Sequence, residues 1–274
     1  CLEGITSKQQ KLSLTGLLET ATSPTGKALY CQEHNDTYDK GELNQRIVAQ
    51  TITGVEQKIS QTHYFAIRNT DRSVGATLSG LIAKTYGESG LSATPIKLHF
   101  TGTAGQSFGV WNAQGVELTL VGDANDYVGK GMAGGRIVIS PPVGSAFKAH
   151  QTTIMGNTCL YGATGGKLYA SGLAGERFAV RNSGAIAVIE GVGDNGCEYM
   201  TGGIVCILGK TGINFGAGMT GGFAYLLDED TTLSQRINNA SIELLPVANY
   251  AILAEHLRGM IAEHVRLTGS QQDR

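Results

Sequence analysis

Three stretches of the 274-residue sequence, Gly129 to Gly134, Gly191 to Gly196 and Gly216 to Gly221, have the G-x-G-x-x-G spacing that cradles a dinucleotide pyrophosphate. That chemistry needs a helix directly after the turn, because the pyrophosphate rests on the helix N-terminus. Two of the three run instead into the β-type strings RIVIS and FAYLL, and the third into another glycine turn. With 39 glycines in the chain such spacings arise easily, and nucleotide binding is not the expectation. Gly209-Lys210-Thr211 has the form of the end of a phosphate loop, but the leading glycine would have to stand at Ile204 and stands at Gly203. A turn lysine is the simpler reading.

Asp123 with Asp126, and Glu190 with Asp194, offer paired carboxylates for acid–base work. Acidic residues beside turn glycines are common because Asp and Asn tolerate tight turns, so both pairs read as turn residues. Histidines 34, 63, 99, 150, 256 and 264 do not cluster, and the last two, eight apart, miss the H-E-x-x-H spacing of a zinc site. Cys1, Cys31, Cys159, Cys197 and Cys206 are odd in number and contain no C-x-x-C, so buried thiols are expected rather than a disulfide framework or a metal cradle. No G-x-S-x-G elbow selects a nucleophilic serine. No catalytic, cofactor-binding or metal-ligating residue is expected.

The chemistry is sparse, so the elements carry the reading. Lys+Arg (21) nearly balance Asp+Glu (23), for a net charge of −2, which argues against nucleic acid or an anionic membrane as partner. The longest apolar runs, Gly202 to Gly209 and Phe223 to Leu227, fall far short of the ~20 residues of a membrane span. The chain opens Cys1-Leu2-Glu3 without a cationic, apolar leader, which predicts a cytoplasmic protein and suggests a piece of a longer one. Glycine at about 14% is twice the ordinary usage, yet there is no Gly-X-Y period and only 5 prolines, which excludes collagen, while 41% apolar residues argue against disorder.

Of the 39 glycines, 28 lie in residues 101–230. There a unit recurs, in which a glycine is followed 10 to 13 residues later by another and then by a short strand-like run: Gly115-VELTLV, Gly135-RIVI, Gly166-KLYA, Gly184-AIAVI, Gly203-IVCIL and Gly222-FAYLL. The spacing is close to 19 residues once the insertion from Ser140 to Gln151 is set aside. A unit that short cannot close its own core and must stack. The expectation is an all-β parallel β-helix with Gly115, Gly135, Gly166, Gly184, Gly203 and Gly222 at its stacked corners; a β-propeller and a left-handed hexapeptide helix are the competitors.

The flanks differ in kind. Residues 8–20, 41–53 and Val74 to Tyr86 have helical spacing, the last preceded by the capping groups of Asn69-Thr70-Asp71 and ended by Gly87, and Thr62 to Arg68 alternates like a strand. Ala251 to Arg266 places Leu253, Leu257, Met260, Ile261 and Val265 on one helix face, which would cover an exposed end of the β-rod or dock on a neighbouring domain. The expected division is a linker and helical segment over 1–60, the β-helix over 61–240, and a terminal helix and tail over 241–274.

The strings IRNTDRSVGATLSG (Ile67 to Gly80), FTGTAGQSFGVWNAQGVELTLVGDANDYVGKGMAGGRIVISPP (Phe100 to Pro142), MGNTCLYGATGGKLYASGLAGERFAVRNSGAIAVIEG (Met155 to Gly191) and DNGCEYMTGGIVCILGKTGINFGAGMTGGFAYLLDED (Asp194 to Asp230) closely resemble the C-terminal glycine-rich domain of the large subunit of bacterial, NADPH-dependent glutamate synthase. The resemblance implies a right-handed β-helix that holds together a glutaminase and an FMN-dependent synthase barrel with a 3Fe–4S cluster. The whole enzyme it implies makes glutamate from glutamine and 2-oxoglutarate, with NADPH oxidised on a small, FAD-containing subunit. Implied partners are the remaining domains of the large subunit and that small subunit. None of the family's catalytic or cofactor ligands maps into these strings, so the domain is expected to be architectural. Binding between domains or subunits with coupling of ammonia transfer is one alternative, and flavin or nucleotide binding at the glycine turns another. The family's glutaminase uses an N-terminal cysteine as nucleophile, but Leu2-Glu3-Gly4 does not match the family's residues after that cysteine, and Cys1 is not expected to play this part.

Overall fold

The computed structural model of the protein describes residue 13 and residues 15–19, 25–26, 28–34 and 39–270. They belong to two units, 1–39 and 40–274. In the first, α1 (Thr15–Leu18) is one exposed turn; Cys1 and most of the rest of the helix expected over 8–20 lie outside the described residues.

The second unit is built on one parallel sheet of ten strands. β1 (Gln61–Ile67), β2 (Ile96–Ala104), β3 (Val116–Ala124), β4 (Ala133–Ser140), β6 (Gly165–Ala170), β8 (Ser183–Ile189), β9 (Thr201–Ile207) and β10 (Gly221–Leu226) lie side by side in chain order, while the short β5 (Thr153–Met155) and β7 (Leu173–Ala174) pair off that path. The register carries the spacing of the repeat, with Lys97 opposite Glu117, Glu117 opposite Arg136, Lys167 opposite Ile186, and Ile204 opposite Phe223. The insertion from Ser140 to Gln151 falls between β4 and β6 and leaves their pairing intact.

The all-β parallel β-helix expected from the repeat is corrected by this topology. The strands form a single parallel sheet, and α2 (Glu42–Gln57), α3 (Ala76–Tyr86) and α5 (Ala251–Thr268) contribute helices of 16, 11 and 18 residues, with α4 (Leu233–Arg236) a single turn, which makes an α/β fold. The physical reason lies in the segments that return the chain from one strand to the next. In each, three alternate residues take the left-handed conformation: Ser107, Gly109 and Trp111; Tyr127, Gly129 and Gly131; Thr158, Leu160 and Gly162; Arg177, Ala179 and Arg181; Asn195, Cys197 and Tyr199; Asn214, Gly216 and Gly218. Backbone in that region cannot extend into strand, so each repeat yields a strand on the main path and a tight return leg.

The return legs are tied together through their amides. The outer left-handed residues donate forward, as Tyr127 N to Asn157 O (2.9 Å) and Gly131 N to Tyr161 O (2.8 Å), and the middle one donates backward, as Gly129 N to Phe108 O (2.9 Å). The same geometry begins at Ser73 and Gly75, left-handed at φ 51° and 94°, with Val74 O accepting from Gly109 N; there the chain leaves into α3. Asn69-Thr70-Asp71 does not cap that helix, whose N-cap is Gly75; Asp71 instead accepts from Arg68 N. The far end of the stack is closed by residues 236–241, where Arg236 O accepts from Phe215 N and Ser241 Oγ from Gly218 N.

One face of the sheet, with Leu98, Leu118, Ile137, Leu168, Ala187 and Val205, packs onto the return legs in a core that also takes in Leu43 and Ile47 of α2 and Leu78 and Ile82 of α3. Val138, Tyr169, Val188 and Cys206 point the other way and are covered by Leu253, Leu257, Met260 and Ile261 of α5. The terminal helix therefore covers a sheet face, not the end of the stack. Both faces are buried, as parallel sheets require. Among the described residues no helix is long and apolar enough to cross a membrane.

Two glycines separate the demands of backbone from those of space. Gly135 has φ +70°, and a Cβ there would be driven into Val116 O and Asn112 Nδ2; Gly259, within α5, has nothing within 4 Å. Gly135→Val is expected to cost about 3 kcal/mol, and Gly259→Ala to stabilise by about 0.5–1 kcal/mol. Chemical denaturation measures both, and a wild-type midpoint for Gly135→Val would contradict the corner geometry.

Candidate functional site

The corner glycines border a groove of about 370 Å³ that includes Gly115, Gly135, Gly166 and Gly184. Gly115, Gly135, Gly166, Gly203 and Gly222 have φ of 93°, 70°, 88°, 84° and 85°. Gly184 does not have a positive φ: it stands where the pairing shifts between Ser183 and Ile186, so that Gly184 and Ala185 face Gly203 in a bulge. The charges along the groove are mutually paired, Arg136 Nη2 to Glu117 Oε2 at 2.7 Å and Lys167 Nζ to Glu263 Oε2 at 2.8 Å, and Tyr169 donates its hydroxyl to Glu263 at 2.6 Å. Burial opposes the charge on Glu263, but the bonds from Lys167 and Tyr169 overcome it and hold the carboxyl below its ordinary range. Burial, then the bond to Glu263, pushes the Tyr169 phenol up.

The three G-x-G-x-x-G turns meet different fates. Gly129, Gly131, Gly216 and Gly218 are left-handed members of the return legs, whereas Gly191 has a nearly extended φ of 158°. The amides of Gly129, Gly131, Gly134, Gly193, Gly216 and Gly221 all donate to carbonyls of other legs or strands. A phosphate would have to displace those bonds, so these turns do not fit a nucleotide or a flavin phosphate. Among the described residues no group of three His, Cys, Asp or Glu side chains could hold a metal ion, and burial pushes the Cys159 thiol up to about 12, so an iron–sulfur cluster is not fitted either. Lys210 is a turn lysine facing Asp230 at 3.3 Å.

The turn acids serve the backbone. Asp126 Oδ1 accepts from Asn157 N (2.7 Å), Asn157 Oδ1 from Glu176 N (2.8 Å) and Asp194 Oδ1 from Ile213 N (2.8 Å), one step of the repeat apart in the last two cases. Asp123 accepts from Thr103 Oγ1 at 2.7 Å. Glu190 does not pair with Asp194.

Glu190 follows the end of β8 and is 1% exposed. Its Oε1 accepts from Ser171 Oγ (3.3 Å) and from Ser270 Oγ, with His264 Nε2 of α5 at 3.6 Å. Its Oε2, and both ring nitrogens of the fully buried His264, make no hydrogen bond. Glu190, Ser171 and Ser270 border a cleft of about 590 Å³ whose other wall is the insertion, with Pro141, Pro142, Val143 and Phe147. Serine, histidine and glutamate are the types of a hydrolase triad, but here both serines bond to the carboxylate and none to the imidazole, so no general base activates a nucleophile.

Sequence spacing gave no sign of this cleft, because Ser270 lies 80 residues from Glu190 and meets it only after α5 has crossed the sheet. The one available signal was an acid at the end of an otherwise apolar strand, AIAVIE.

The protein-family model described as "GXGXG motif" matches residues 42–274. Relatives include a glutamate synthase [NADH] of Schizosaccharomyces pombe, 50% identical over 270 residues, 98% of this chain and 13% of that protein. A ferredoxin-dependent glutamate synthase of Pyropia yezoensis is 53% identical over 223 residues, 81% of this chain and 14% of that protein. Ferredoxin-dependent glutamate synthase 2 of Synechocystis is 48% identical over 267 residues, 96% and 17% respectively. The chain thus spans less than a fifth of these proteins. The likeness extends across NADH- and ferredoxin-dependent types and does not single out the bacterial NADPH type.

The clamp of Glu263 on Lys167 and Tyr169 has a testable acid dependence. A carboxyl lowered in the fold stabilises above its ordinary value of 4.5 and loses that contribution as pH falls through its folded value. Glu263→Gln is expected to cost about 1 kcal/mol at neutral pH, the scale of a partly exposed ion pair, and to flatten the decline in thermal midpoint below 4.5. Parallel melting curves for wild type and variant across the acid range would contradict this.

Proposed function

This chain belongs to the GXGXG-motif family, and from that premise we propose that it is the architectural and interaction domain of a glutamate synthase large subunit. In this reading the flavin and iron–sulfur chemistry resides elsewhere in the polypeptide, and this domain holds the glutaminase and synthase parts in register. Its working partners are those parts and, in an NADPH-dependent enzyme of the cytoplasm, the small subunit. Residues 1–60 serve as the connection, 61–240 as the stacked body and 241–274 as the covering helix and tail.

The observation that carries the interaction role is a ridge along the third left-handed position of the return legs. There Trp111 and Tyr199 are 65% and 56% exposed. Trp111 lies over Gly131, where a Cβ would come within 2.8 Å of its ring, Tyr199 lies over Gly218, and the Arg181 guanidinium stands 6.0 Å from the Tyr199 ring. Lys130 adds its ammonium over Tyr127 and Tyr161. Each ring is held in place by the backbone beneath it, so binding would cost little side-chain entropy, and Trp, Tyr and Arg are the types that dominate interface energetics.

The double substitution Trp111→Ala with Tyr199→Ala, placed in the full-length glutamate synthase, tests the reading. Expected are a melting temperature of the isolated chain within a few degrees of wild type, together with at least about a tenfold loss of glutamine-dependent glutamate formation or of assembly, the scale of two interface anchors. Full activity and normal assembly would refute the ridge as an interface.

A further inference from the structure

Resting on the reading of the ridge as an interface, we propose that its occupant is an acidic segment of the large subunit outside this domain, with a carboxylate seated over Gly162 between Lys130 and Arg181. The third left-handed positions form one line along the stack. The amides of Trp111, Gly131, Gly162, Arg181 and Tyr199 each donate to a carbonyl of the following leg, as Gly162 N to Val180 O (2.9 Å) and Arg181 N to Glu198 O (2.8 Å). Trp111 opens the line and Tyr199 closes it, with Lys130 and Arg181 between them. From the first leg to the fifth is four steps of ~4.8 Å, about 19 Å, which a single segment of about six extended residues can follow.

One position on this line is uncovered. Trp111 lies over Gly131 and Tyr199 over Gly218, but Gly162, the equivalent glycine of its own leg, has nothing within 4 Å of where a Cβ would stand. Bare backbone is therefore open at the middle of the ridge. In the leg before it, the Lys130 ammonium stands 5.2 Å from the centre of the Tyr127 ring and 5.9 Å from that of Tyr161; in the leg after it is Arg181, 6.0 Å from the Tyr199 ring.

The charges decide what fits there. Among the described residues Arg136, Lys167, Arg177 and Lys210 each face a carboxylate, and Lys130 and Arg181 face none. The acids of these legs are already engaged: Glu198 lies 3.2 Å from Arg177, and Asp126 and Asp194 accept backbone amides. A cation held against a ring face keeps its N–H donors for an acceptor from outside. Two such cations flanking open backbone match the carboxylate of a short side chain by charge-assisted bonds, and the rings at either end match apolar residues beside it. Nucleic acid is a poor match, because two free cations in a chain of net charge −2 give no continuous positive field for a run of phosphates. The segment is placed in the same polypeptide because this chain covers only 13% of the Schizosaccharomyces pombe relative and 17% of the Synechocystis one.

The test uses full-length glutamate synthase. Carbodiimide condenses an amine with a carboxylate in contact, joining them as an amide while the reagent takes up the water lost, and peptide mass spectrometry maps the product. Expected is Lys130 joined to an Asp or Glu of the large subunit outside this domain. Lys130→Glu with Arg181→Glu is expected to lower glutamine-dependent glutamate formation or assembly at least about tenfold, since like charges then meet. Lys130→Gln with Arg181→Gln, which serves if the reversal fails to fold, is expected to lower it about threefold. No product at Lys130, a product only within this domain or with another chain, or wild-type behaviour of the charge variants would each overturn the proposal. The two readings fail separately. Loss in Trp111→Ala with Tyr199→Ala but not in the charge variants overturns the acidic occupant and leaves the ridge an interface, whereas wild-type behaviour in both sets removes the ridge itself.

Discussion

The fold depends on one backbone constraint, the alternation of left-handed residues along every return leg. An L-residue held in that region is strained by about 1–2 kcal/mol, and most of these positions are occupied by residues other than glycine, among them Leu160, Arg177, Ala179 and Cys197. The strain is offset locally, because the left-handed residues of the first five legs turn their amides toward carbonyls of adjacent legs, and a net hydrogen bond in a buried setting contributes on the same order. One leg alone would carry the strain without the bonds. The arrangement is thus cooperative between neighbours, and its two ends need closure, which Ser73 to Gly75 leading into α3 supplies at one end and residues 236–241 at the other.

That constraint explains which parts of the fold were legible in sequence. Strands were visible because their apolar alternation survives stacking: VELTLV, RIVI and AIAVI all lie in the sheet, and the 19-residue spacing is the distance between paired residues. The return legs were not visible, since left-handed backbone is signalled chiefly by glycine and less by Asn or Asp, and the legs through Thr158, Arg177 and Asn195 use glycine at one position or none. The inference from repeat to an all-β rod failed for that reason and because the helices of the flanks pack into the same core as the strands, Ile47 and Ile82 beside Phe65 and Leu98. Similarly, the apolar stripe of α5 was legible as a stripe, but its target was not: Met260 meets Tyr169 and Val188, outward-facing residues of strands whose other face is already buried.

The chemical residues divide along the same line. Asp126 and Asp194 look like candidates for acid–base work only until the amides that donate to them are known; like Asn157, each ties one step of the stack to the next. Glu190 occupies a strand end in the same series of repeats, beyond Ile189 as Ser171 is beyond Ala170. It differs because the end of α5 descends on it and withdraws it from water. Chain-distant burial, not residue type or local spacing, sets Glu190 apart from the turn acids.

A stack of this kind also settles where binding can arise. Inside the repeat, amides and acids are already committed to neighbouring legs, so a ligand gains nothing there without breaking the cooperative ladder. Unspent capacity is left where the repeat faces solvent. That condition holds at the third left-handed position, where the side chain projects outward. Trp111 and Tyr199 stand at left-handed positions of the ladder, each with a glycine of the next leg beneath its ring, which makes the ridge a consequence of the ladder and not an addition to it.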